Sequence, residues 1–527
     1  MGLQARFRQA VRWGFVRPEA LILVSLAIGS YGIARLLQAT PNGLGLIGDS
    51  FYYVTGAENL AARIGFGRLR GGGEFAPTTH YPPGYSLAMA GVQLLGVDKL
   101  ESARWVNFGS YMVLVLSAAG LLRRATGSNA AGVLAALLLG FSPVLLEVHA
   151  WVMSEALYMA LNGAALFLLS IYLDNKRRRI LVLLGAVAAA ATLTRYVGIA
   201  LTAAIGLALG LQEGSRRRRL LDLGLFAGVA LVPILAWFAR NALYTGNLAN
   251  RDILWNPVGY DQLRTFGLHV LRWFGPTQLV RGKLSAALVL ALLGGIGTIL
   301  ALDLWKAGKL RLRNSEESAL VWNALFYVAA LGVSISLFDA FIPIDDRILS
   351  PLYVTAMVLL ALLVGRGLER LRAPLKILLL VSLGLMLGWN AVDHAREANV
   401  LSQQVLGYAN PAIGQSELIK AVRDLPDVPI VSNGLSSLYF WADRYCYAIP
   451  VRIDVESGLP KENYEAEMEL YRRRFREQDA VLILFHPETL LPDYAPLREL
   501  IDGLTLVARY SDGEIYRYES SSAEPPG

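Results

Sequence analysis

Two acidic residues in apolar surroundings are the side chains of this 527-residue chain most able to do chemistry. Glu155 lies near the start of the apolar run 148-VHAWVMSEALYMALNGAALFLLSIYL-173, where an unpaired carboxylate at membrane depth costs about 2–3 kcal/mol. Asp49 begins the segment 48-GDSFYYVTGAENLAARIGFGRL-69. Each also has a structural explanation, Asp49 as a helix N-cap and Glu155 as half of an ion pair. Both are therefore candidate acid–base or orienting groups.

Basic residues occupy comparable positions. Arg195 lies in 192-TLTRYVG-198, a very short break between two apolar runs, and Arg104 begins the run after residue 103. Either arginine could meet an anionic head group, or could extend its charge to the membrane interface without binding a ligand. The helix end 237-WFARNALYTGN-247 carries Arg240 and Asn241, for which an interfacial anchor is the simpler role.

A further charged group lies in 338-FDAFIPIDDRILSPLYV-354, between two apolar runs. An Asp–Arg pair in this position could be purely structural. The residues concerned are Asp339, Asp345, Asp346 and Arg347.

The positioning elements are mostly membrane spans. Runs such as 21-LILVSLAIGSYGIARLL-37 and 284-LSAALVLALLGGIGTILAL-302 are about as long as a helix needs to cross roughly 30 Å of hydrocarbon. We count about eleven. Clusters of Arg and Lys occupy every second gap, and the positive-inside rule then places those gaps in the cytoplasm. The clusters are Arg6/Arg8/Arg12/Arg17, Arg123/Arg124, Lys176 to Arg179, Arg216 to Arg219, Lys306/Lys309/Arg311/Arg313 and Arg366/Arg370/Arg372/Lys376.

The other gaps then face outward, and the longest of them contains Asp49. Apolar residues recur there every three or four positions, which predicts an amphipathic helix over 48–69 that lies in the membrane interface. The motif 80-HYPPGYSLAMAGVQLLG-96 follows. Its two prolines predict a stiff extended turn at Tyr81 to Gly84 that leads into a second helix. A loop of this length with two helices is too elaborate for a plain connector.

Composition supports a membrane protein and excludes several site types. The hydrophobic fraction is 54%, only 17% of residues are charged, and the inner loops account for most of the net charge of +7, so we predict no nucleic-acid partner. Cys446 is the only cysteine, which excludes an intramolecular disulfide and cysteine-based metal sites. The five histidines lack the spacing of a metal site.

Residues 400–527 have a different character. A charged helical stretch, 461-KENYEAEMELYRRRFREQ-478, alternates with β-rich runs at 428–433, 479–486, 504–511 and 514–519. We predict a mainly α membrane domain over 1–395, a small extracytosolic α/β domain over 396–520, and a disordered tail over 521–527. No glycine-rich phosphate loop precedes a helix in the α/β domain.

Six short stretches resemble, in order, the GT-C superfamily of glycosyltransferases that use polyprenyl-phosphate donors. The similarity is to the bacterial protein mannosyltransferase-like and aminoarabinose transferase-like branch, and it covers roughly residues 20–355. The stretches are 49-DSFYYVTGAENL-60, 81-YPPGYSL-87, Ser154-Glu155, 194-TRYVG-198, 238-FARN-241 and 345-DDRILSPLY-353.

The resemblance implies transfer of one sugar from a lipid-phosphate donor to a lipid, protein or glycan acceptor outside the cytoplasmic membrane. Asp49 would be the general base, or would bind a divalent metal ion that orients the acceptor. Arg195 would neutralise the departing phosphate, with Arg347 as a second candidate. Glu155 would support the acceptor or a metal. Further substrate-binding candidates are Tyr81, Arg104 and Asp346.

The sequence allows both a mechanism with a divalent metal ion and one without it. Some members of the superfamily have paired acidic residues in this loop, whereas Ser50 follows Asp49 in this chain. Two other classes of protein are alternatives. A transporter or flippase of lipid-linked sugars would be expected to show internal repeats or matched helix interruptions, and neither is evident. A membrane sensor would leave the loop helices and Asp49 unexplained.

Overall fold

The computed structural model describes residues 18–518 apart from 213, 249–252, 254, 275–315, 340–341, 369–370, 405 and 454–458. The predicted span at 284–302, the basic cluster at 306–313 and the predicted tail at 521–527 lie outside the described residues.

Helices dominate the first 403 residues, as the apolar runs predict. They are α1 Pro18–Ala39, α2 Gly48–Ala61, α3 Gly84–Gln93, α4 Lys99–Thr126, α5 Asn129–Gly140, α6 Pro143–His149, α7 Glu155–Asn175, α8 Arg178–Thr194, α9 Gly198–Leu211, α10 Arg216–Thr245, α11 Tyr260–Arg272, α12 Glu316–Leu337, α13 Asp346–Gly367 and α14 Ala373–Gln403.

Seven helices of the described part are long and apolar enough to span a membrane: α1, α4, α7, α10, α12, α13 and α14. The pair α5 and α6 forms an eighth candidate span, bent by 57°. The bend follows from the sequence, because Ser142 caps α6 through Leu145 N and Pro143 occupies its first turn. The chain is an integral membrane protein. The predicted total of about eleven additionally requires α8, α9 and the run at 284–302.

Local sequence explains where many of these helices start and stop. Asp98 accepts hydrogen bonds from two backbone N–H groups at the start of α4, and Asp345 accepts one at the start of α13. Gly127 ends α4 with a left-handed backbone, φ 70°, which glycine adopts without steric cost. The membrane core is continuous across the bundle, with α4 packed against α1, α5 and α7.

The first loop, residues 40–98, differs in part from its prediction. Helix α2 ends at Ala61 instead of continuing to residue 69, because Arg63 has a left-handed φ of 61° and residues 64 and 65 hydrogen-bond back to Asn59. A short antiparallel hairpin follows, β1 Gly67–Leu69 with β2 Phe75–Pro77, paired Gly67 to Pro77. The second predicted helix is present as α3.

The C-terminal part is the small α/β domain that the sequence predicts. Its strands β3 Ile430–Ser432, β5 Val481–Phe485, β6 Thr505–Tyr510 and β7 Gly513–Arg517 match the four β-rich runs, and β4 Tyr447–Ala448 is an addition. The sheet order is β4-β3-β5-β7-β6, with β4, β3 and β5 parallel. Its helices are α15 Pro411–Gln415, α16 Glu417–Arg423, α17 Leu435–Ala442, α18 Tyr464–Gln478 and α19 Leu497–Leu500. Helix α14 runs past residue 395, so the structural change falls nearer residue 404.

Candidate active site in the first loop

Backbone pairing brings the two candidate carboxylates to the same place. Gly45 exchanges two hydrogen bonds with segment 150–152, at 2.7 and 2.9 Å. On its other side, Leu46 exchanges two with segment 406–408, at 3.1 and 2.9 Å. Asp49 follows Leu46 by three residues, and Glu155 follows residue 152 by three. This three-stranded contact therefore sets the positions of both side chains.

Asp49 is the second residue of α2 and does not cap it. The N-cap position is Ile47, and Ser50 Oγ accepts the hydrogen bond from its N–H at 3.0 Å. Ser50 also donates to the carbonyl of Val152 at 3.0 Å, which ties α2 to the segment before Glu155. The structure thus does not show the capping role that would explain Asp49 without chemistry.

The Asp49 carboxylate has one hydrogen-bonded oxygen and one oxygen near a cation. Tyr81 donates its hydroxyl to Oδ1 at 2.8 Å, and Arg347 Nη1 lies 3.8 Å from Oδ2. Burial, and then the neighbouring Asp49 charge, raise the pKa of Tyr81 far above its usual value, so this phenol stays a donor. The side chain of Asp49 is 37% exposed, which leaves it open to a substrate.

Tyr81 is held in place by the turn that the prolines predict. Gly84 begins α3 immediately after that turn, and a Cβ atom there would lie 2.6 Å from Thr194 Oγ1 and 2.7 Å from the Leu193 carbonyl. Only glycine allows this approach, because a side chain would displace the backbone at the end of α8. The close packing sets the start of α3 against the C-terminal end of α8, whose C-cap residue is Arg195.

Glu155 is the first residue of α7 and is almost completely buried, with 1% of its side chain exposed. Its Oε1 lies 2.7 Å from Arg195 Nη1 and 3.5 Å from Arg347 Nη1. Within the described residues, neither carboxylate oxygen has a well-aligned hydrogen-bond donor. Glu155 therefore has the ion pair that the sequence allows as a structural explanation. However, its carboxylate is shared between two arginines, and its oxygens lack aligned hydrogen bonds within the described residues.

The two arginines differ in how firmly they are held. Arg195 contacts Glu155 at hydrogen-bonding distance and also donates to Ser154 Oγ at 3.1 Å. Arg347 lies 3.5 to 3.9 Å from three carboxylates, those of Glu155, Asp49 and Asp345, and so stands between the two catalytic candidates. We call Asp49, Tyr81, Glu155, Arg195 and Arg347 the carboxylate–arginine cluster.

Two predicted substrate-binding residues contact other groups instead. Asp346 accepts from His269 Nδ1 at 2.8 Å and faces Trp273 Nε1 at 3.4 Å, which joins α13 to α11. Arg104 pairs with Glu101 at 2.8 Å and donates to the Thr40 carbonyl at 2.7 Å. Neither side chain has a described contact with the carboxylate–arginine cluster, because Asp346 faces α11 and Arg104 is held by Glu101 and the Thr40 carbonyl.

Arg240 and Asn241 are more than interfacial anchors. Arg240 donates to the carbonyls of Phe66 and Thr78 at 3.0 and 2.9 Å, and Asn241 donates to the carbonyl of Thr79 at 3.0 Å. Both ends of the β1–β2 hairpin are thereby fixed to α10, just ahead of Tyr81. These side chains position the loop that carries the site.

Sequence reasoning missed Tyr53 as a member of the site. Its hydroxyl lies 3.1 Å from Ser154 Oγ, which in turn accepts from Arg195. Tyr53 is separated from Asp49 by one helical turn, so the i to i+4 spacing within 49-DSFYY-53 was the available signal.

The described residues do not fit a bound divalent cation. No three His, Cys, Asp or Glu side chains converge in the described part as such a site requires. In the carboxylate–arginine cluster, the group that lies between Asp49, Glu155 and Asp345 is the Arg347 guanidinium.

Known proteins share this fold. Residues 80–238 match the family model described as dolichyl-phosphate-mannose-protein mannosyltransferase. The chain is similar to the crystal structure of ArnT from Cupriavidus metallidurans bound to undecaprenyl phosphate, with 17% identity and a TM-score of 0.56, over 97% of this chain and 100% of ArnT. It is also similar to apo ArnT, with 14% identity and a TM-score of 0.59, over 94% of this chain and 98% of ArnT.

A more distant structural match is the oligosaccharyltransferase AglB from Archaeoglobus fulgidus in complex with an inhibitory peptide and a dolichol-phosphate. Its identity is 12% and its TM-score 0.51, over 88% of this chain and 69% of AglB. No curated protein matches the sequence significantly. These matches confirm the predicted fold, a helical membrane domain of the ArnT-like GT-C type with a small C-terminal sheet.

Proposed function

We propose that this protein is a glycosyltransferase that moves one sugar from a polyprenyl-phosphate-linked donor to an acceptor on the outer face of the bacterial cytoplasmic membrane. The observation that carries the proposal is the accessible Asp49 carboxylate beside the Arg347 guanidinium, at the end of a GT-C membrane domain. Such a pair offers a base for the acceptor and a cation for the departing phosphate. The binding of undecaprenyl phosphate by ArnT and of dolichol-phosphate by AglB supports a donor of this class.

The reaction needs one proton transfer and one stabilised leaving group. Asp49 removes the proton from the attacking acceptor group as that atom forms a bond to the anomeric carbon of the sugar. The bond between the anomeric carbon and the phosphate oxygen breaks, and its electron pair stays on the phosphate. Tyr81 holds Asp49 through Oδ1 and leaves Oδ2 to take the proton.

Arg347 is the better candidate to bind the phosphate. Among the described residues, no carboxylate oxygen lies closer than 3.5 Å to its guanidinium, so Arg347 can turn toward a new anion without losing a short contact. Arg195 is already held by Glu155 at 2.7 Å. A guanidinium can bind a phosphate through two parallel hydrogen bonds, which fixes the leaving group as well as neutralising it.

Glu155 and Arg195 hold Asp49's neighbour Arg347 and its surroundings in place and do not take the proton or the phosphate themselves. Glu155 lies within 3.5 Å of Arg347 and 2.7 Å of Arg195, so its charge keeps both guanidiniums at the site. The buried position lowers the effective dielectric, and the interaction is stronger there than on an exposed surface. We therefore assign Glu155 an orienting role and Asp49 the acid–base role.

The positions of the basic clusters support the proposed reaction on the outer face of the membrane. A reporter that is active only outside the cytoplasm should give a signal when fused after Gly72 or Gly407, and should be silent after Arg178 or Arg217. A silent Gly407 fusion would place the C-terminal domain and the site in the cytoplasm.

The function is tested by the glycans that depend on the protein. A strain that lacks it should lose one sugar from a glycolipid, glycoprotein or polysaccharide, detected by mass spectrometry. The wild-type protein should restore that sugar, and Asp49→Asn, expressed to the same level, should not. An unchanged glycan profile, together with altered transport of intact lipid-linked sugar, would favour a flippase instead.

A further inference from the structure

Helix α2 carries a second carboxylate, Glu58, that the proposed chemistry does not use. It lies nine residues after Asp49, about 13 Å further along the helix axis. Its Oε2 accepts a hydrogen bond from Tyr439 at 2.5 Å and another from Tyr445 at 3.3 Å. Both tyrosines belong to the C-terminal domain, Tyr439 within α17 and Tyr445 just after it.

A lysine from the membrane domain also takes part in this contact between Glu58 and the C-terminal domain. Lys99, the first residue of α4, lies 3.7 Å from Glu58 Oε1 and 3.2 Å from Asp443 Oδ1. Its ammonium also lies 4.5 Å from the centre of the Tyr439 ring. One carboxylate of α2 is thus fixed by charge on one side and by two phenol donors on the other. We call Glu58, Lys99, Tyr439, Asp443 and Tyr445 the interdomain cluster.

The phenols keep their protons at any physiological pH. Burial, followed by the nearby Glu58 carboxylate, raises the pKa values of Tyr439 and Tyr445 far above the usual range. Hydrogen bonds from a neutral phenol to a charged acceptor are stronger than those between neutral groups. The interdomain cluster therefore joins the C-terminal domain to α2 through hydrogen bonds from two neutral phenols to one carboxylate.

The C-terminal domain also holds the end of α2 that carries Asp49. Phe51 packs edge-on against Tyr439 and Phe440, with ring centres 5.3 and 6.5 Å apart. The backbone pairing of Leu46 with segment 406–408 fixes the chain immediately before the helix. The C-terminal domain therefore grips α2 before its first residue, near its start and near its end.

We infer that Tyr439 and Glu58 are positioning residues, through which the C-terminal domain sets the rotation and tilt of α2 and hence the place of Asp49 beside Tyr81 and Arg347. The inference rests on the proposed role of Asp49. It gives the C-terminal domain a part in the chemical step, because a small rotation of α2 would break the 2.8 Å contact between Tyr81 and Asp49. Misplacement of a reacting group by about 1 Å can reduce a rate by roughly a hundredfold.

The test removes only the Tyr439 hydroxyl, by Tyr439→Phe in the full-length protein in detergent. The ring contact with Phe51 remains, so the domain keeps its apolar attachment. A matched control is Tyr464→Phe, which removes a similar hydrogen bond, 2.8 Å to Glu499, inside the C-terminal domain. The readouts are backbone hydrogen exchange of residues 48–61, kcat, and the KM for the donor.

We expect Tyr439→Phe to speed exchange in 48–61 at least about threefold and to lower kcat by roughly tenfold or more, with the donor KM within twofold of wild type. Glu58→Gln keeps an acceptor oxygen but loses the attraction of Lys99, and should fall between Tyr439→Phe and wild type. Tyr464→Phe should change neither exchange in 48–61 nor kcat.

Equal exchange rates and equal kcat values for Tyr439→Phe and Tyr464→Phe would overturn the inference. Should the wild-type protein transfer no sugar, the proposed function fails, and the exchange measurement alone decides the positioning role. Faster exchange in 48–61 only for Tyr439→Phe would then still support the attachment, and unchanged exchange would reject it.

Discussion

Helix α13 carries an arginine near each end, and the two ends differ sharply. Arg347 and Arg366 are nineteen residues apart, about 28 Å along the helix and close to the thickness of the hydrocarbon layer. Arg366 pairs with the carboxylate of Glu317 and donates to the carbonyl of Ala125 at 2.9 Å. Arg347 instead faces three carboxylates, none closer than 3.5 Å.

The two ends of α13 differ in how completely their charged groups are paired. At the Arg366 end the charges are fully paired, because the Arg366 guanidinium meets the Glu317 carboxylate and also donates a hydrogen bond to the Ala125 carbonyl. We call this the paired end of α13. At the other end, within the part of the chain that the structure describes, Glu155 is buried without an aligned hydrogen bond, and the three carboxylates that face Arg347 lie no closer than 3.5 Å. A buried polar group left partly unsatisfied costs stability, so the arrangement at this end supports the proposal that a substrate binds there.

The largest loss of transfer is expected for Asp49→Asn. The amide keeps the shape of the side chain and can still accept from Tyr81, but it cannot take a proton. Transfer should fall by a factor of roughly a hundred to ten thousand, as for other general bases. A transfer assay on purified protein with matched melting temperatures measures this effect. Retained activity would remove Asp49 from the chemistry and leave the comparison of the two ends without its main support.

Arg347→Ala should be the next most damaging change, with a decrease in transfer of about a hundredfold. Arg347→Lys should recover part of it, because an ammonium supplies charge without the two parallel hydrogen bonds of a guanidinium. Arg195→Ala is the matched comparison and should affect donor use less. A larger effect at Arg195 than at Arg347 would return the phosphate-binding role to Arg195.

Glu155→Gln should reduce transfer by at least about tenfold while the protein stays folded. The substitution removes the 2.7 Å ion pair with Arg195, but Arg195 keeps its hydrogen bond to Ser154 Oγ, and no aligned hydrogen bond of the described residues is lost. A neutral amide is also cheaper to bury than a carboxylate. Melting temperature in detergent and transfer rate are measured on the same samples. If the melting temperature fell first and transfer per folded molecule were normal, Glu155 would be a structural ion-pair partner only.

Glu317→Gln makes the same change as Glu155→Gln, but at the paired end of α13, and should leave transfer per folded molecule unchanged. It breaks a buried pair and leaves Arg366 without its carboxylate, a change that typically destabilises a protein by about 3–5 kcal/mol. The expected result is therefore a lower melting temperature than for Glu155→Gln. Similar results for the two glutamates would show that the ends of α13 do not differ in the way inferred here.

The sequence alone predicted several parts of the molecule correctly. Spans follow from hydropathy, the helix that begins at Gly84 from the prolines ahead of it, and the α/β tail from the change of periodicity after residue 400. It also singled out Asp49, Glu155 and Arg195 as polar residues in apolar surroundings, whereas Arg347 and Tyr81 became substrate-binding candidates through the resemblance to the GT-C superfamily. All these signals are local, since they depend on residues within a few turns of one another.

Only the tertiary structure decided how these residues combine. It separated Asp346 and Arg104 from the others, ended α2 at Ala61, and placed Arg347 rather than Arg195 beside Asp49. It also joined Glu58 to Tyr439, which are 381 positions apart. Such contacts depend on which helix faces pack together and on the register of backbone pairing at Leu46. Hydropathy and spacing report burial, but they do not report which charged group lies opposite another, because that partner comes from a distant part of the chain.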